Sequence, residues 1–210
     1  MSRESSLTLD RGLALLQAVA DTGGEAATIS QLAATIGTSR AAVYRLLVPL
    51  AERGLVWRDG SKVRLGAGVL RLAGQMLPQL RDAARPVLRG LAESVGVTAH
   101  LSVAEGDQLH VIAVAEPSWT SFHVAYRIGS RHPISRGAAG KALALRAKGR
   151  EWAVATGEPQ PGTFGVAAPV RGVTGLRASV GVVALEAMDN ARVGPQVARA
   201  AAELAEVLRG

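Results

Sequence analysis

The stretch from Thr28 to Leu65 constrains the fold more than any other part of the chain. Thr28 can open a helix, and Gln31 three residues later completes a capping box, in which each side chain satisfies a backbone N–H at the helix start. Leu32, Ala33 and Ile36 follow at helical spacing, and Gly37 supplies the stop. Ser39 can cap a second helix over Arg40 to Arg53, which Gly54 ends. Leu55 to Arg58 and Ser61 to Leu65 are β-prone runs on either side of Asp59-Gly60. Asp-Gly between such runs predicts a hairpin, because both central residues of a type I′ turn need positive φ. Helix, turn, helix and basic hairpin make a winged helix, an arrangement suited to duplex DNA.

Charge agrees with that reading. Thr38 to Gly66 holds Arg40, Arg45, Arg53, Arg58, Lys62 and Arg64 against only Glu52 and Asp59, within a chain of formal net charge +7. Only three of the 24 basic residues are Lys, and the planar guanidinium suits phosphate and guanine. A second basic run, Arg136, Lys141, Arg146, Lys148 and Arg150, reads as a solvated helix face. The chain has no Cys, which excludes disulfides, thiolate catalysis and Cys-based zinc sites. Its polar start lacks the apolar core of a signal peptide, and no apolar run nears the ~18 residues of a membrane span. The expectation is a cytoplasmic protein that makes no membrane contact.

At 210 residues, 48% of them hydrophobic and 3% aromatic, the chain can build a core of Ala, Val and Leu. Leu9, Leu13, Leu16, Val19 and Ala20 mark an amphipathic helix ahead of Thr28, completing a DNA-binding domain over residues 1–66. Residues 67–80 read as an interdomain helix that Pro78 interrupts. A further helix carries Val87, Leu88, Leu91 and Val95, with Pro86 at its start or at a kink, and Gly96 ends it.

From Val97 the apolar period becomes two, predicting a strand through Val103, a second over Gln108 to Ala115 and a third over Phe122 to Tyr126. Ala138 to Lys148 reads as helix, Phe164 to Val170 and Ala178 to Leu185 as strands, and Val197, Ala201, Leu204 and Val207 mark a closing helix. The expected class is α+β: a winged helix-turn-helix joined by a helix to a sensor-type domain, residues 81–210, with helices flanking a mainly antiparallel sheet.

On the second helix, Val43, Leu46, Leu47 and Leu50 share one side, which must face the core. Ala41, Arg45, Val48 and Glu52 lie opposite, with Ala42 and Tyr44 at the edges. Ser39 and Arg40 sit at the end of the helix that enters the major groove. The small residues Ala41 and Ala42 allow close approach to base edges. Arg45 is placed for a bidentate contact to guanine, while Arg40 and Tyr44 could read bases or clamp phosphates. Arg58, Lys62 and Arg64 on the hairpin would add affinity through the backbone or minor groove. Pro49 falls inside this helix, where it either kinks the helix or distorts a last turn held by Leu50.

The motif order resembles the IclR family of bacterial transcription regulators over nearly the whole chain. The residues that carry it are Leu9-Asp10-Arg11-Gly12-Leu13, Ala42-Val43-Tyr44-Arg45-Leu46-Leu47, Glu52-Arg53-Gly54-Leu55-Val56, Ala84-Arg85-Pro86-Val87-Leu88, Gly140-Lys141-Ala142-Leu143 and Val166-Ala167-Ala168-Pro169-Val170. The resemblance implies a homodimer or tetramer on a partly palindromic operator, more often as a repressor. It also implies a GAF-like effector domain that binds a small metabolite, often a carboxylate. Carried over, the effector positions are Ala138, Ala139, Ala155, Thr156, Gly165, Ala184 and Glu186. The chain departs from the family there: an acid near 155–156, a Cys near 165 and hydroxyls at 184 and 186 are absent. It is also a few dozen residues shorter between Leu145 and Trp152. A carboxylate beside Glu186 would meet like charge, so the pocket suits a neutral or cationic molecule or is vestigial.

An enzyme is not expected. The nucleophile elbow G-x-S-x-G is absent, and Gly137-Ala138-Ala139-Gly140-Lys141-Ala142 lacks P-loop spacing and the Ser or Thr after Lys. His100, His110, His123 and His132 show no metal-ligand spacing, so neither metal nor cofactor is expected. The alternative to a sensing regulator is a winged-helix protein whose second domain serves only oligomerisation or protein interaction.

Overall fold

The computed structural model describes residues 6–120, 124, 126–146 and 149–209. The chain divides into two compact units, Met1–Met76 and Leu77–Gly210, each with its own apolar core.

Unit one runs α1 (Leu7–Ala20), β1 (Ala27–Thr28), α2 (Ile29–Thr35), α3 (Arg40–Glu52), β2 (Val56–Asp59) and β3 (Lys62–Leu65). The capping box forms: the Gln31 N–H donates to Thr28 Oγ1 at 3.2 Å, and the Thr28 N–H donates to Gln31 Oε1 at 2.8 Å. Gly37, at φ 64°, then turns the chain toward α3. Leu15, Ile29, Leu32, Val43 and Val63 are fully buried together, each worth about 1.5–3 kcal/mol relative to exposure. On α1 the buried set is Leu15, Ala18 and Val19, while Leu9 and Leu13 are exposed. The helical period was legible, but the stripe facing the core is offset from the expected one.

The hairpin differs in its turn. Asp59 pairs with Lys62, so the loop is Gly60-Ser61 rather than Asp59-Gly60. Positive φ falls on Gly60 alone, so a type I′ turn is not formed. Thr28, expected only as a cap, also lies in β1, which pairs with β3 to give a three-stranded sheet ordered β1-β3-β2.

α3 stays continuous through Pro49. Proline has no N–H for the Arg45 carbonyl, but both residues are exposed and water can serve that oxygen. Pro49→Ala restores the missing bond. It should raise stability to urea by about 1–2 kcal/mol, since the ~3 kcal/mol interior penalty is offset by the rigidity proline lends the unfolded chain. A less stable variant would contradict this account of α3.

The expected break at Pro78 and restart at Pro86 do not occur. A single helix, α4 (Gly68–Val95), contains both prolines. Both are exposed, as are Gly74 and Asp82, whose carbonyls lose their donors. Solvent serves those oxygens, while Leu80, Ala84, Val87, Leu88, Leu91 and Ala92 on the other side join the core. Burial of that face outweighs the two breaks.

Unit two contains β4 (Thr98–Glu105), β5 (Gln108–Ala115), β6 (Arg131–Pro133), α5 (Gly137–Leu143), β7 (Ala153–Thr156), β8 (Phe164–Val170), β9 (Ala178–Ala184) and α6 (Asn190–Arg209). The six strands form one antiparallel sheet ordered β6-β5-β4-β9-β8-β7. Ala99 and Leu101 of β4, Val166 and Ala168 of β8, and Val180 and Val182 of β9 pack with α4 and α6. On the other face, Leu109, Ala155 and Ala167 pack with Ala138, Ala139 and Ala142 of α5. The helix expected over Ala138 to Lys148 is thus the shorter α5, and Val207 of α6 is exposed. Most of the strand expected over Phe122 to Tyr126, with His123, lies outside the described residues, as does Lys148.

Candidate nucleic-acid interface and ligand cavity

Ser39 caps α3 by accepting the Ala42 N–H at 3.1 Å. Val43, Leu46 and Leu47 are buried, whereas Ser39, Arg40, Ala41, Tyr44 and Arg45 are exposed and Ala42 is half-buried. No ion pair or hydrogen bond ties the Arg45 side chain among the described residues. Its guanidinium is free to engage a ligand.

The hairpin residues divide between two faces. Arg58 is paired with Val63 and shares its side of the ribbon; its guanidinium lies 5.4 Å from the centre of the Tyr44 ring. This cation–π contact ties hairpin to α3. Lys62 and Arg64 point to the other face by strand alternation. There Arg64 lies opposite Trp57, 5.8 Å from its ring centre. The structure therefore groups Arg58 with Tyr44 and the start of α3, and sets Lys62 and Arg64 apart as a second basic surface. The sequence reading passed over Trp57, which is 53% exposed; a large aromatic on a hairpin's outer face was the available signal.

Unit two holds a cavity of about 30 Å³ between α5 and the sheet, room for a water or two. Of the expected effector positions, Ala138, Ala139 and Gly165 line it. The other four do not. Ala155 is packed in the apolar cluster under α5, and Thr156 is exposed on β7. Ala184 is buried at the end of β9 opposite Phe164, and Glu186 is exposed beyond that strand. Strand alternation turns Thr156 and Ala184 to the opposite face, whereas Ala155, opposite Gly165, shares the cavity's face but is covered by α5.

The polar lining comes instead from residues read as ordinary: His100, Tyr126, His132 and Glu158, with Gln160 and Thr163. The His100 ring sits against Gly181, where an added Cβ would come 2.9 Å from its Cε1 and Nε2. Its Nδ1 is 3.2 Å from Ser102 Oγ, and the Tyr126 ring meets it edge-on with centres 4.9 Å apart. Tyr126 Oη is 3.2 Å from His132 Nε2. Glu158 accepts the Gly137 N–H at 3.1 Å and pairs with Lys141 at 3.0 Å.

Burial sets the charge of this cluster. Desolvation, with His132 nearby, lowers His100 to about 3. Burial also lowers His132, against the opposing effect of the Pro133 carbonyl, and raises Tyr126. The Gly137 N–H and then Lys141 hold Glu158 below the usual carboxylate range. At neutral pH both rings and the phenol are uncharged and Glu158 is ionised.

The histidines make stability depend on pH. Unfolded, His100 takes up a proton as pH falls through about 6.5; folded, it resists until about 3. The unfolded chain binds more protons across that window, so stability falls as pH is lowered. His100 alone should cost about 2 kcal/mol between pH 7 and pH 5. In urea titrations His100→Gln should lose that part of the slope, and identical slopes would contradict the assignment.

Among the described residues no helix is long and apolar enough to cross a membrane, and no group of acidic or His side chains is arranged to hold a metal. The IclR helix-turn-helix domain model matches residues 8–60, and the bacterial transcriptional regulator IclR C-terminal model matches residues 77–151. The HTH-type transcriptional regulator BhcR of Paracoccus denitrificans (strain Pd 1222) is 32% identical over 149 residues, 67% of this chain and 50% of that protein. The chain thus spans about half the length of this curated relative. A crystal structure of an IclR transcriptional regulator from Silicibacter sp. TM1040 is 26% identical, with 98% of this chain and 97% of that one covered at a TM-score of 0.54. An IclR homologue from Microbacterium hydrocarbonoxydans, solved with 4-hydroxybenzoate, shares the fold at 19% identity and a TM-score of 0.53, covering 96% of this chain and 99% of its own. Matched by both family models and sharing the two-part α+β fold, the chain belongs to the IclR family of bacterial transcriptional regulators.

Proposed function

We propose that this chain is a cytoplasmic transcriptional regulator that binds duplex DNA through α3 and the β2–β3 hairpin. The observation that carries the reading is the division of α3 into a buried apolar side and an exposed side bearing Ser39, Arg40, Tyr44 and Arg45, with Arg58 stacked alongside. Ser39, Arg40, Ala41 and Ala42 enter the major groove, Arg45 reads a guanine, and Arg40 and Tyr44 read bases or hold phosphates. Arg58, Lys62 and Arg64 add contacts to the flanking backbone. Residues 1–66 form the DNA-binding domain, 67–80 the link and 81–210 the effector and oligomerisation domain. Two or four copies read a partly palindromic operator, acting as a repressor.

The cavity beneath α5 serves as the small-molecule sensor. Related proteins support this: the Microbacterium hydrocarbonoxydans homologue was solved with a bound small molecule. The family's members regulate transcription and are not enzymes. Coupling of ~1–3 kcal/mol between sensor and DNA-binding unit would change operator affinity about 5- to 150-fold. Capture of sheared genomic DNA from the source organism, followed by sequencing, should return a few sites sharing a partly palindromic core. Recovery of all fragments in proportion to their abundance would overturn the reading.

A further inference from the structure

Resting on the reading of the cavity as an effector site, we infer that it selects uncharged, hydrogen-bonding ligands and rejects carboxylates, because Glu158 already holds the donors a ligand acid would need. The Glu158 carboxylate accepts the Gly137 N–H and pairs with Lys141 Nζ through the same oxygen, Oε2. Among the described residues no cation lines the space: Lys141 is paired with Glu158, and Arg136 acts on it from outside the lining.

Among the described residues the other ionisable groups facing the cavity are His100, His132 and Tyr126, and burial keeps all three uncharged at neutral pH. An entering carboxylate would meet one fixed negative charge and two imidazoles that resist protonation. It would have to give up its own hydration without a charged partner. An amide, alcohol or phenol escapes that cost and can still exchange hydrogen bonds with Tyr126, Gln160 and Thr163.

The space of about 30 Å³ is too small for an organic molecule as it stands. Entry requires the lining to give way, and the bonds from Gly137 and Lys141 oppose any outward shift of the segment holding Glu158, Pro159, Gln160 and Thr163. The same carboxylate therefore restrains entry and sets the charge of what can enter.

Substituting Glu158→Gln tests this. It removes the charge, keeps the side-chain shape and releases Lys141 to meet an anion. Calorimetric titration of the full chain would use matched pairs of graded size: acetamide and acetate, propionamide and propionate, 4-hydroxybenzamide and 4-hydroxybenzoate. The wild type should bind the amide of a pair more tightly than the acid. The Gln variant should gain about tenfold or more for the acid, the order of one charge-assisted hydrogen bond. The double variant Glu158→Gln/Lys141→Gln should lose that gain, which separates a charge effect from simple loosening of the loop. Acids that bind wild type as tightly as the Gln variant would overturn the charge argument alone. If no pair binds either protein, the reading of the cavity as an effector site falls instead.

Discussion

Gly140→Ala should cost about 2–4 kcal/mol and lower the melting temperature of the second unit by about 10 °C. A Cβ built at Gly140 would lie 1.9 Å from the Ile134 carbonyl oxygen. That atom is backbone, so no rotamer change relieves the overlap, and either α5 or the Ile134 segment must shift. α5 cannot shift freely, because Ala138, Ala139 and Ala142 are packed against Leu109, Ala155 and Ala167. Close-packed interiors resist such displacement. The Gly140-Lys141-Ala142 motif therefore has a steric basis: it lets a short helix lie directly on a neighbouring backbone. Gly90→Ala is the control. Gly90 is also helical, but nothing lies within 4 Å of its added Cβ, so stability should rise by about 0.5–1 kcal/mol. Thermal unfolding of both variants checks the pair, and a Gly140→Ala protein as stable as wild type would refute the packing argument.

Arg45→Ala should weaken binding to a selected operator about 5- to 150-fold for each copy engaged, the 1–3 kcal/mol of a bidentate guanine contact. Binding to random duplex should change far less. The side chain is exposed on α3, so the substitution leaves the core intact and the loss reports on recognition. Lys62→Ala should behave otherwise. On the outer face of the hairpin it is placed for phosphate, so its loss should lower affinity by similar factors on operator and random sequence alike. Arg58→Ala should resemble Arg45→Ala in part, since the Arg58 guanidinium also fixes Tyr44. Competition titrations with the two duplexes separate the patterns. Equal losses on both duplexes for Arg45→Ala would remove it from the base-reading set.

How far each of these sites could be read from sequence depended on whether its determinants are local. Thr28, Gln31, Gly37 and Ser39 act over three or four residues, so α2 and α3 were legible with their caps. The strands at Gln108–Ala115 and Phe164–Val170 were legible to the residue, one from alternation and the other from a short apolar run. α4 was not, because its two prolines are local signals overruled by a burial pattern that only the assembled sheet creates. Short β1, β6 and β7 carry too few residues for a period. The polar lining of the cavity was not legible for a different reason. His100, Tyr126, His132 and Glu158 come from separated segments, and nothing local announces that they meet. One clue was present: Thr98, His100 and Ser102 alternate with Ala99 and Leu101, yet all five are buried. A polar face buried within a sheet calls for polar partners or a ligand.

The salt dependence of duplex affinity tests the central claim most directly. If the exposed side of α3 and the hairpin seat on the phosphate backbone, a plot of log affinity against log salt should be linear. With four to six phosphate contacts per copy, its slope should lie between about −3.6 and −5.4. Replacing Arg40, Arg58, Lys62 and Arg64 together with Gln should flatten that slope by up to about 3.6. A wild-type slope near zero, or one that those four substitutions leave unchanged, would contradict the assignment of this surface to DNA.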